Sequence, residues 1–204
     1  MSTKFSDIGV APFLTEGLAA LEISNPTAIQ QKVIPVILNQ KEDLVALAKT
    51  GTGKTAAFGL PILQGIDVDN PNIQAVILAP TRELGQQIYT NLTRFAANQP
   101  AISIASVCGG IPIKPQIERL QQDTHIVVAT PGRLIDLLQR KAVSIKNTST
   151  LVLDEADEMV AILKEGLDMI ATYLPKNKRT LLFTATMPGT VKQLIQNYLS
   201  KHVI

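Results

Sequence analysis

Short apolar runs alternate along the chain with longer segments in which apolar residues recur at helical spacing. Six of the short runs have the composition of β-strands: DLVALA, QAVILAP, ISIASVC, HIVVATP, TLVLDE and TLLFTA. Several of them are continuously apolar, which is typical of strands buried on both faces of a sheet.

The segments between these runs carry the period of amphipathic helices. After Thr81, four apolar residues fall on one helical face: Leu84, Ile88, Leu92 and Phe95. Strand followed by helix, repeated along the chain, predicts one α/β domain over residues 1–204, with a mostly parallel sheet and helices on both faces. Ligands of such sheets bind beyond the carboxyl ends of the strands, so we search for a site there.

Composition narrows the possible functions. Of the 204 residues, 46% are hydrophobic, and the formal net charge is only +2. These values indicate a folded domain without a broad basic surface. Trp is absent, and there are only five Phe and three Tyr, which disfavours binding through rows of bases stacked on aromatic side chains.

The single cysteine, Cys108, excludes an internal disulfide, and with two histidines the sequence offers no Cys-rich or His-rich metal site. The first residues contain no apolar core of signal-peptide length, and no apolar run is long enough to cross a bilayer. We therefore expect a soluble, cytoplasmic protein with no membrane partner.

The run AKTGTGKT, residues 48–55, follows a predicted strand and precedes a helical segment. Glycines let main-chain N–H groups surround phosphate oxygens, a lysine adds charge for the outer phosphates, and a hydroxyl can ligate Mg²⁺. The pattern usually begins with Gly where this chain has Ala48. A glycine-rich turn before a helix is the alternative. The predicted nucleotide-binding residues are Thr50, Gly51, Thr52, Gly53, Lys54 and Thr55, with Thr55 as a metal ligand.

The run LVLDEADEMV, residues 151–160, crowds four carboxylates at the end of another predicted strand. Nucleotide hydrolysis needs Mg²⁺ and an oriented water. We assign the metal to Asp154 and the proton of the attacking water to Glu155, so that these two and Lys54 are the predicted catalytic residues. The metal and Lys54 would relieve the repulsion of the acids. In isolation, the run is equally typical of the acidic first turn of a helix.

Residues 154–157 spell Asp-Glu-Ala-Asp, and with the phosphate loop they resemble the DEAD-box RNA helicases. Further motifs of that family occur in its order over nearly the whole chain: PTAIQ (26–30), PTREL (80–84), GG (109–110), TPGR (130–133) and TAT (184–186). The resemblance implies a RecA-like P-loop NTPase domain, ATP and Mg²⁺ as cofactors, and ATP-dependent RNA unwinding.

The resemblance also implies that the region 5–30 reads adenine, with Phe5 stacked on the ring and Gln30 bonded to its edge. An amide that both donates and accepts suits the adjacent donor and acceptor of adenine. On the residues alone, Thr27 and Gln30 also form a capping box, and we favour that interpretation when the motif is taken by itself.

Three other motifs resemble the RNA-contacting elements of the family. Such sites bind phosphates and 2′-hydroxyls and ignore the bases, so the expected partner is RNA of any sequence. Thr81 and Thr130 are also ordinary helix caps, and two successive glycines are also an ordinary turn. The predicted RNA-binding residues are Pro80, Thr81, Arg82, Gly109, Gly110, Thr130, Pro131, Gly132 and Arg133.

The TAT segment is, by resemblance, a coupling element formed by Asp157, Thr184 and Thr186, in which the hydroxyl of Thr184 bonds Asp157. The family usually has Ser where this chain has Thr184, and the extra methyl is expected to alter packing but not the bond. The run after the acids also departs from the family, because Leu163 and Lys164 replace its usual Gly-containing continuation. Isolated threonines are otherwise ordinary strand ends.

Members of this family have two similar domains that bind RNA and ATP across a cleft. By resemblance, we expect residues 1–204 to be the first domain, and a second RecA-like domain of the same polypeptide to supply an arginine finger. Two other functions stay open on the sequence alone. One is an ATP-gated RNA clamp that nucleates complexes without unwinding, and the other is an unrelated P-loop ATPase.

Overall fold

The computed structural model describes residues 3–199 and 202–203, without the side chains of residues 161–164 and 202–203. Its strands are β1 (Asp43–Leu47), β2 (Ala75–Leu78), β3 (Ile104–Val107), β4 (Ile126–Ala129), β5 (Thr150–Leu153), β6 (Arg179–Thr184) and β7 (His202–Val203). They form one sheet in the order β3-β4-β2-β5-β6-β1-β7, and each pairing between them is parallel. The predicted α/β fold is therefore confirmed.

Helices connect the strands and cover both faces of the sheet. A short 3-10 helix (Ser6–Ile8) precedes α1 (Pro12–Ala20), α2 (Ala28–Asn39), α3 (Lys54–Gln64), α4 (Arg82–Phe95), α5 (Lys114–Leu120), α6 (Pro131–Gln139), α7 (Ala156–Tyr173) and α8 (Gly189–Tyr198). The helices α1 to α4 pack on one face, and α6, α7 and α8 pack on the other. None of the helices in the described ranges is long and apolar enough to span a bilayer.

The central strands are buried on both faces, which explains their continuously apolar sequences. In β2, Ala75 and Ile77 belong to the core cluster under α1 to α4, whereas Val76 and Leu78 belong to the cluster on the opposite face. Alternate side chains of a strand point to opposite faces, so a strand between two helical layers needs apolar residues at every position.

The order of the strands divides the carboxyl edge of the sheet into two halves. The phosphate loop follows β1, the acidic run follows β5 and TAT ends β6, and these three strands are neighbours. The predicted RNA-contacting motifs follow β2, β3 and β4, which are also neighbours. Motifs that are far apart in sequence are thus sorted into two adjacent groups.

The strand β7 was not predicted: it pairs with β1, but its two residues are too few to give a sequence pattern. The helix α7 begins directly after Glu155, so the acidic run does enter the first turn of a helix, and the helix continues through residues 161–164 to Tyr173. The side chains of Leu163 and Lys164, at which the chain departs from the family, lie outside the described residues.

Candidate functional site

The phosphate loop is a tight connection between β1 and α3 that depends on glycine. Gly51 and Gly53 have φ angles of 81° and 91°, a region that other residues rarely adopt. A Cβ atom on Gly53 would lie 2.4 Å from Gln30 Nε2. The main-chain N–H of Ala48, which stands where the phosphate-loop pattern has Gly, donates to Thr184 O at 2.9 Å. The neighbouring strand β6 thus holds the start of the loop.

Residues of the PTAIQ motif hold the far end of the same loop. The Thr27 hydroxyl donates to Thr52 O at 2.9 Å, and Gln30 Nε2 donates to Gly53 O at 3.1 Å. Gln30 Oε1 also accepts from the Thr27 N–H at 2.9 Å. This bond is the half of the predicted capping box in which the Gln30 side chain reaches back to the Thr27 main chain. In this structure, Gln30 therefore caps α2 and braces the phosphate loop at once.

Lys54 lies against the acidic run, as the two motifs together predict. Its Nζ is 3.4 Å from Asp154 Oδ1 and 3.8 Å from Glu155 Oε1. The lysine and Asp154 are 5% and 1% exposed. At these distances, the contacts are ion pairs without hydrogen-bond alignment, and Lys54 Nζ has no hydrogen-bond partner among the described residues. A buried ammonium with unused donors suits an anionic ligand with several oxygens.

Burial raises the pKa of the Asp154 carboxyl, since a charge is poorly solvated there. The ammonium of Lys54 opposes that shift, and the neighbouring charge of Glu155 adds to it. A cation bound at Asp154 would therefore compensate for the poor solvation of its carboxylate and reduce its repulsion by Glu155. Carboxylate and hydroxyl oxygens are the ligands that Mg²⁺ prefers, and Thr55 lines the same cavity, so the donor set fits this ion.

Glu155 has a strained main chain, and its side chain is held by a hydrogen bond. Its φ is 52°, in the left-handed region, at the point where the chain leaves β5 and enters α7. Its N–H donates to Asp154 Oδ1 at 3.0 Å, and its Oε1 accepts from the Thr50 hydroxyl at 3.0 Å. The acid that we predict to be the general base is thus fixed by the phosphate loop itself.

A cavity of about 390 Å³ opens over these groups. Its lining includes Leu21 and Ile23, which follow α1, and Gln30. Phe5, predicted to stack on a base, is placed differently: it is 3% exposed within the core cluster under α1 to α4, and it does not line the cavity. A ring packed in the core has no free face to offer a base, so the structure gives that prediction no support.

The predicted coupling residues meet, although the bonding differs in detail from the prediction. Asp157 Oδ2 accepts from the Thr186 N–H at 2.9 Å and from the Thr186 hydroxyl at 2.7 Å. The hydroxyl of Thr184 donates to Thr186 O at 2.7 Å and so supports the segment that binds Asp157. Burial alone would raise the pKa of Asp157, but the hydroxyls of Thr186 and Thr184 and the Thr186 N–H together lower it.

The three motifs predicted to contact RNA converge on the GG segment. Arg82 Nη1 donates to Gly110 O at 3.3 Å, and Arg133 Nη2 donates to Ile111 O at 2.9 Å. The Gly109 N–H donates to the hydroxyl of Thr130 at 3.1 Å. Gly110 has a φ of 78°, so the turn needs glycine at that position.

The two predicted caps behave differently. Thr81 caps α4 by accepting from the Leu84 N–H at 3.2 Å. Thr130 precedes Pro131 at the start of α6, but its side chain makes no capping bond because it is used by Gly109. Gly132 and Arg82 are exposed, Pro80 is half-buried, and Pro131 is buried.

Sequence reasoning missed Leu21 and Ile23, among other residues that line the cavity. Both follow α1, and nothing in the sequence places them beside a phosphate loop. Thr27 was recognised as a cap, but its bond to Thr52 joins residues 25 positions apart and requires the folded structure.

The fold and this site define the class of the protein, which is a RecA-like α/β domain with a phosphate-binding loop. Residues 27–194 match the family model described as DEAD/DEAH box helicase. The chain therefore belongs to the DEAD/DEAH box helicase family.

Curated relatives support this assignment. The chain is 42% identical over 198 residues to "ATP-dependent RNA helicase CshA" of Limosilactobacillus reuteri, covering 97% of this chain and 39% of that protein. It is 43% identical over 192 residues to "DEAD-box ATP-dependent RNA helicase CshA" of Streptococcus pneumoniae, covering 94% of this chain and 36% of that protein. The chain thus spans less than two fifths of the length of these two relatives.

Solved structures also agree with the assignment to this family. A DEAD box protein from the hyperthermophile Methanococcus jannaschii superimposes with a TM-score of 0.93 and 37% identity, covering 98% of this chain and 55% of that chain. S. cerevisiae Dbp5 bound to RNA and ADP BeF3 gives a TM-score of 0.88 and 29% identity, covering all of this chain and 52% of that chain.

Replacing Gly53 with Ala is expected to destabilise the domain. The new Cβ would clash with Gln30 Nε2, and alanine would be strained at a φ of 91°, so we expect the free energy of unfolding to fall by about 1–3 kcal/mol. Gly189→Ala is the control, because its Cβ would meet nothing within 4 Å, and its effect is expected to stay within about 0.5 kcal/mol. Denaturant unfolding measures both, and equal stabilities would contradict the assigned loop geometry.

Replacing Asp157 with Asn is expected to cost stability in a pH-dependent way. Because the pKa of Asp157 lies below its usual 3.8, its carboxylate stabilises the fold above about pH 4, and this contribution is lost as the pH falls through the lowered pKa. Because Asp157 is partly exposed, we expect the free energy of unfolding of Asp157→Asn to be lower by only about 0.5–1 kcal/mol at pH 7. This difference from the unmodified chain should become smaller below pH 4.

Chemical unfolding at pH 7 and pH 3 tests this expectation. The control is Glu158→Gln, which removes an exposed charge from the same first turn of α7. A loss in Asp157→Asn that is no larger than in this control, or that persists unchanged at pH 3, would show that the contact with Thr186 contributes nothing.

Proposed function

We propose that this chain is the ATP- and RNA-binding half of an ATP-dependent RNA helicase, which couples ATP binding and hydrolysis to local unwinding of an RNA duplex. The observation that carries the proposal is the buried ammonium of Lys54, 3.4 Å from Asp154 and with unused hydrogen-bond donors. Such a group is poorly satisfied by the protein alone, and the outer phosphates of a nucleotide would complete its bonding.

In this proposal, the main-chain N–H groups of the phosphate loop and Lys54 bind the phosphates. Asp154 and Thr55 hold Mg²⁺, which neutralises charge on the phosphate oxygens when it is bound. Glu155 accepts the proton of the attacking water. Its carboxylate is held by the Thr50 hydroxyl at 3.0 Å, so a loop that moves on binding phosphates would also reposition the base.

We assign the base of ATP to the side of the cavity that contains Gln30, Leu21 and Ile23. The two aliphatic side chains offer an apolar surface to a flat ring, and the amide of Gln30 offers a donor and an acceptor. Phe5 keeps its proposed role only if it leaves the core when nucleotide binds.

We assign the backbone of single-stranded RNA to the surface formed by Arg82, Gly109, Gly110 and Arg133, together with Pro80 and the starts of α4 and α6 at Thr81, Thr130, Pro131 and Gly132. Helix amino ends and guanidinium groups bind phosphates without reading bases, so binding is expected to be independent of sequence. The structures of Dbp5 with RNA and ADP BeF3 support the proposal by family analogy.

Asp157 is the proposed link between the two ligand sites. It follows the catalytic acids by two residues and is bonded to the end of β6 through Thr186. Displacement of the acids on nucleotide binding would therefore be passed to the TAT segment.

A second RecA-like domain of the same polypeptide completes the proposal. Without its arginine finger, this chain is expected to bind ATP but to hydrolyse it very slowly.

Replacing Lys54 with Met tests the nucleotide site. The change keeps the aliphatic stem and removes the charge, so the affinity for Mg²⁺-ATP is expected to fall by about 10- to 100-fold. Lys49→Met is the matched control, because Lys49 is exposed in the same loop, and a change within about twofold is expected. Calorimetric titration of both folded variants measures this, and equal affinities would contradict the proposal.

Replacing Arg82 with Gln tests the RNA site. If Arg82 binds a phosphate, the variant is expected to bind any single-stranded RNA more weakly, with the slope of log affinity against log salt reduced by about one. Arg140→Gln is the control, since Arg140 is exposed at the far end of α6 and paired with Asp136 at 2.6 Å. Fluorescence anisotropy at several salt concentrations measures both slopes, and binding that ignores salt would refute the assignment.

A further inference from the structure

Residues 108–111, which contain the GG segment, are held at four successive positions by side chains from three separate parts of the chain. Three of these side chains belong to the proposed RNA surface: Thr130 at Gly109, Arg82 at Gly110 and Arg133 at Ile111. The fourth is Gln116, whose Nε2 donates to Cys108 O at 3.0 Å. Gln116 lies in α5, which follows the segment, and none of the RNA motifs includes it.

Gln116 is an unusual residue to find buried at this position. It is 5% exposed, and its Oε1 has no hydrogen-bond partner in the part of the chain that the structure describes. Around it, Ile117 and Leu120 of α5 and the preceding Ile113 pack against the core. Burying an amide with one unsatisfied end costs free energy that a similarly sized aliphatic side chain would not. Packing therefore does not account for a glutamine here, whereas its bond to Cys108 O does.

The bond to Cys108 O differs from the other three in what happens when RNA is bound. A guanidinium that moves to a phosphate loses its bond to the loop carbonyl, and a phosphate can also displace the hydroxyl of Thr130. The contact of Gln116 is buried behind the segment, so no ligand competes for it. It fixes the residue at which the chain leaves β3, immediately before Gly109 and Gly110.

We propose that Gln116 is a positioning residue for RNA binding, which orients the GG segment so that its main chain can approach an RNA backbone. This inference rests on the proposed function, because it deepens the assignment of that surface. The class of ligand is a single-stranded nucleic acid backbone, and Gln116 acts through Cys108 O without touching the ligand.

Gln116→Met is the test variant, because methionine has nearly the same size and cannot donate to Cys108 O. Gln121→Met is the matched control, an exposed glutamine at the end of the same helix. At low salt, we expect Gln116→Met to bind a single-stranded oligonucleotide about 3- to 10-fold more weakly than the control. Its affinity for Mg²⁺-ATP should be unchanged, and its melting temperature should lie within about 2–4 °C of the control.

A second measurement does not need RNA. Amide hydrogen exchange of the ligand-free protein is expected to be faster at Gly109, Gly110 and Ile111 in Gln116→Met than in Gln121→Met, with the strands of the sheet unaffected. This comparison decides the inference even if Gln116→Met is less stable, since a loss of global stability would accelerate exchange in the strands of the sheet, whereas a local effect would not.

The outcomes are distinguishable. Equal RNA affinity and equal exchange in the two variants would overturn the positioning role. A uniform loss of stability, nucleotide affinity and RNA affinity would reduce Gln116 to a packing residue and also overturn it. If the unmodified chain itself binds no RNA, the proposed function fails, and local exchange at residues 109–111 still decides whether Gln116 positions the segment.

Discussion

The site depends on a small cluster of buried charges that the protein does not fully satisfy. The ammonium of Lys54 lies within 4 Å of the carboxylates of Asp154 and Glu155. Lys54 and Asp154 are almost completely buried. Removing charges from water is costly, and an ion pair at 3.4 Å recovers only part of that cost. The raised pKa of Asp154 is a sign of this deficit. In the proposed function, phosphates with Mg²⁺ would bring the complementary charges, so the affinity for the nucleotide would arise from this imbalance.

The rest of the fold keeps this cluster in place. The helix α3 begins at Lys54 and is anchored below by Phe58, whose ring packs on Phe183 of β6 with centroids 5.2 Å apart. The strand order brings β1 and β5 to either side of β6, so that a loop and an acidic turn more than 90 residues apart share one edge. The same order places the GG segment and its partners on the adjoining half of the edge.

Much of this was readable from the sequence because the signals are local. Six strands follow from apolar runs, and Lys54 and Asp154 follow from motifs placed at strand ends. Tertiary contacts could not be read in this way. Phe5 is buried in the apolar core, and the hydroxyl of Thr184 donates to Thr186 O. Gln116 carries no signal at all until its bond to Cys108 O is seen.

The decisive experiment is a crystal structure of this chain grown with Mg²⁺ and a non-hydrolysable ATP analogue. We expect phosphate oxygens within about 2.7–3.2 Å of Lys54 Nζ. We also expect a metal ion held from Asp154, directly or through water, on the same side of the cavity. An analogue bound with its phosphates elsewhere, while Lys54 remains paired only with Asp154 and Glu155, would contradict this expectation.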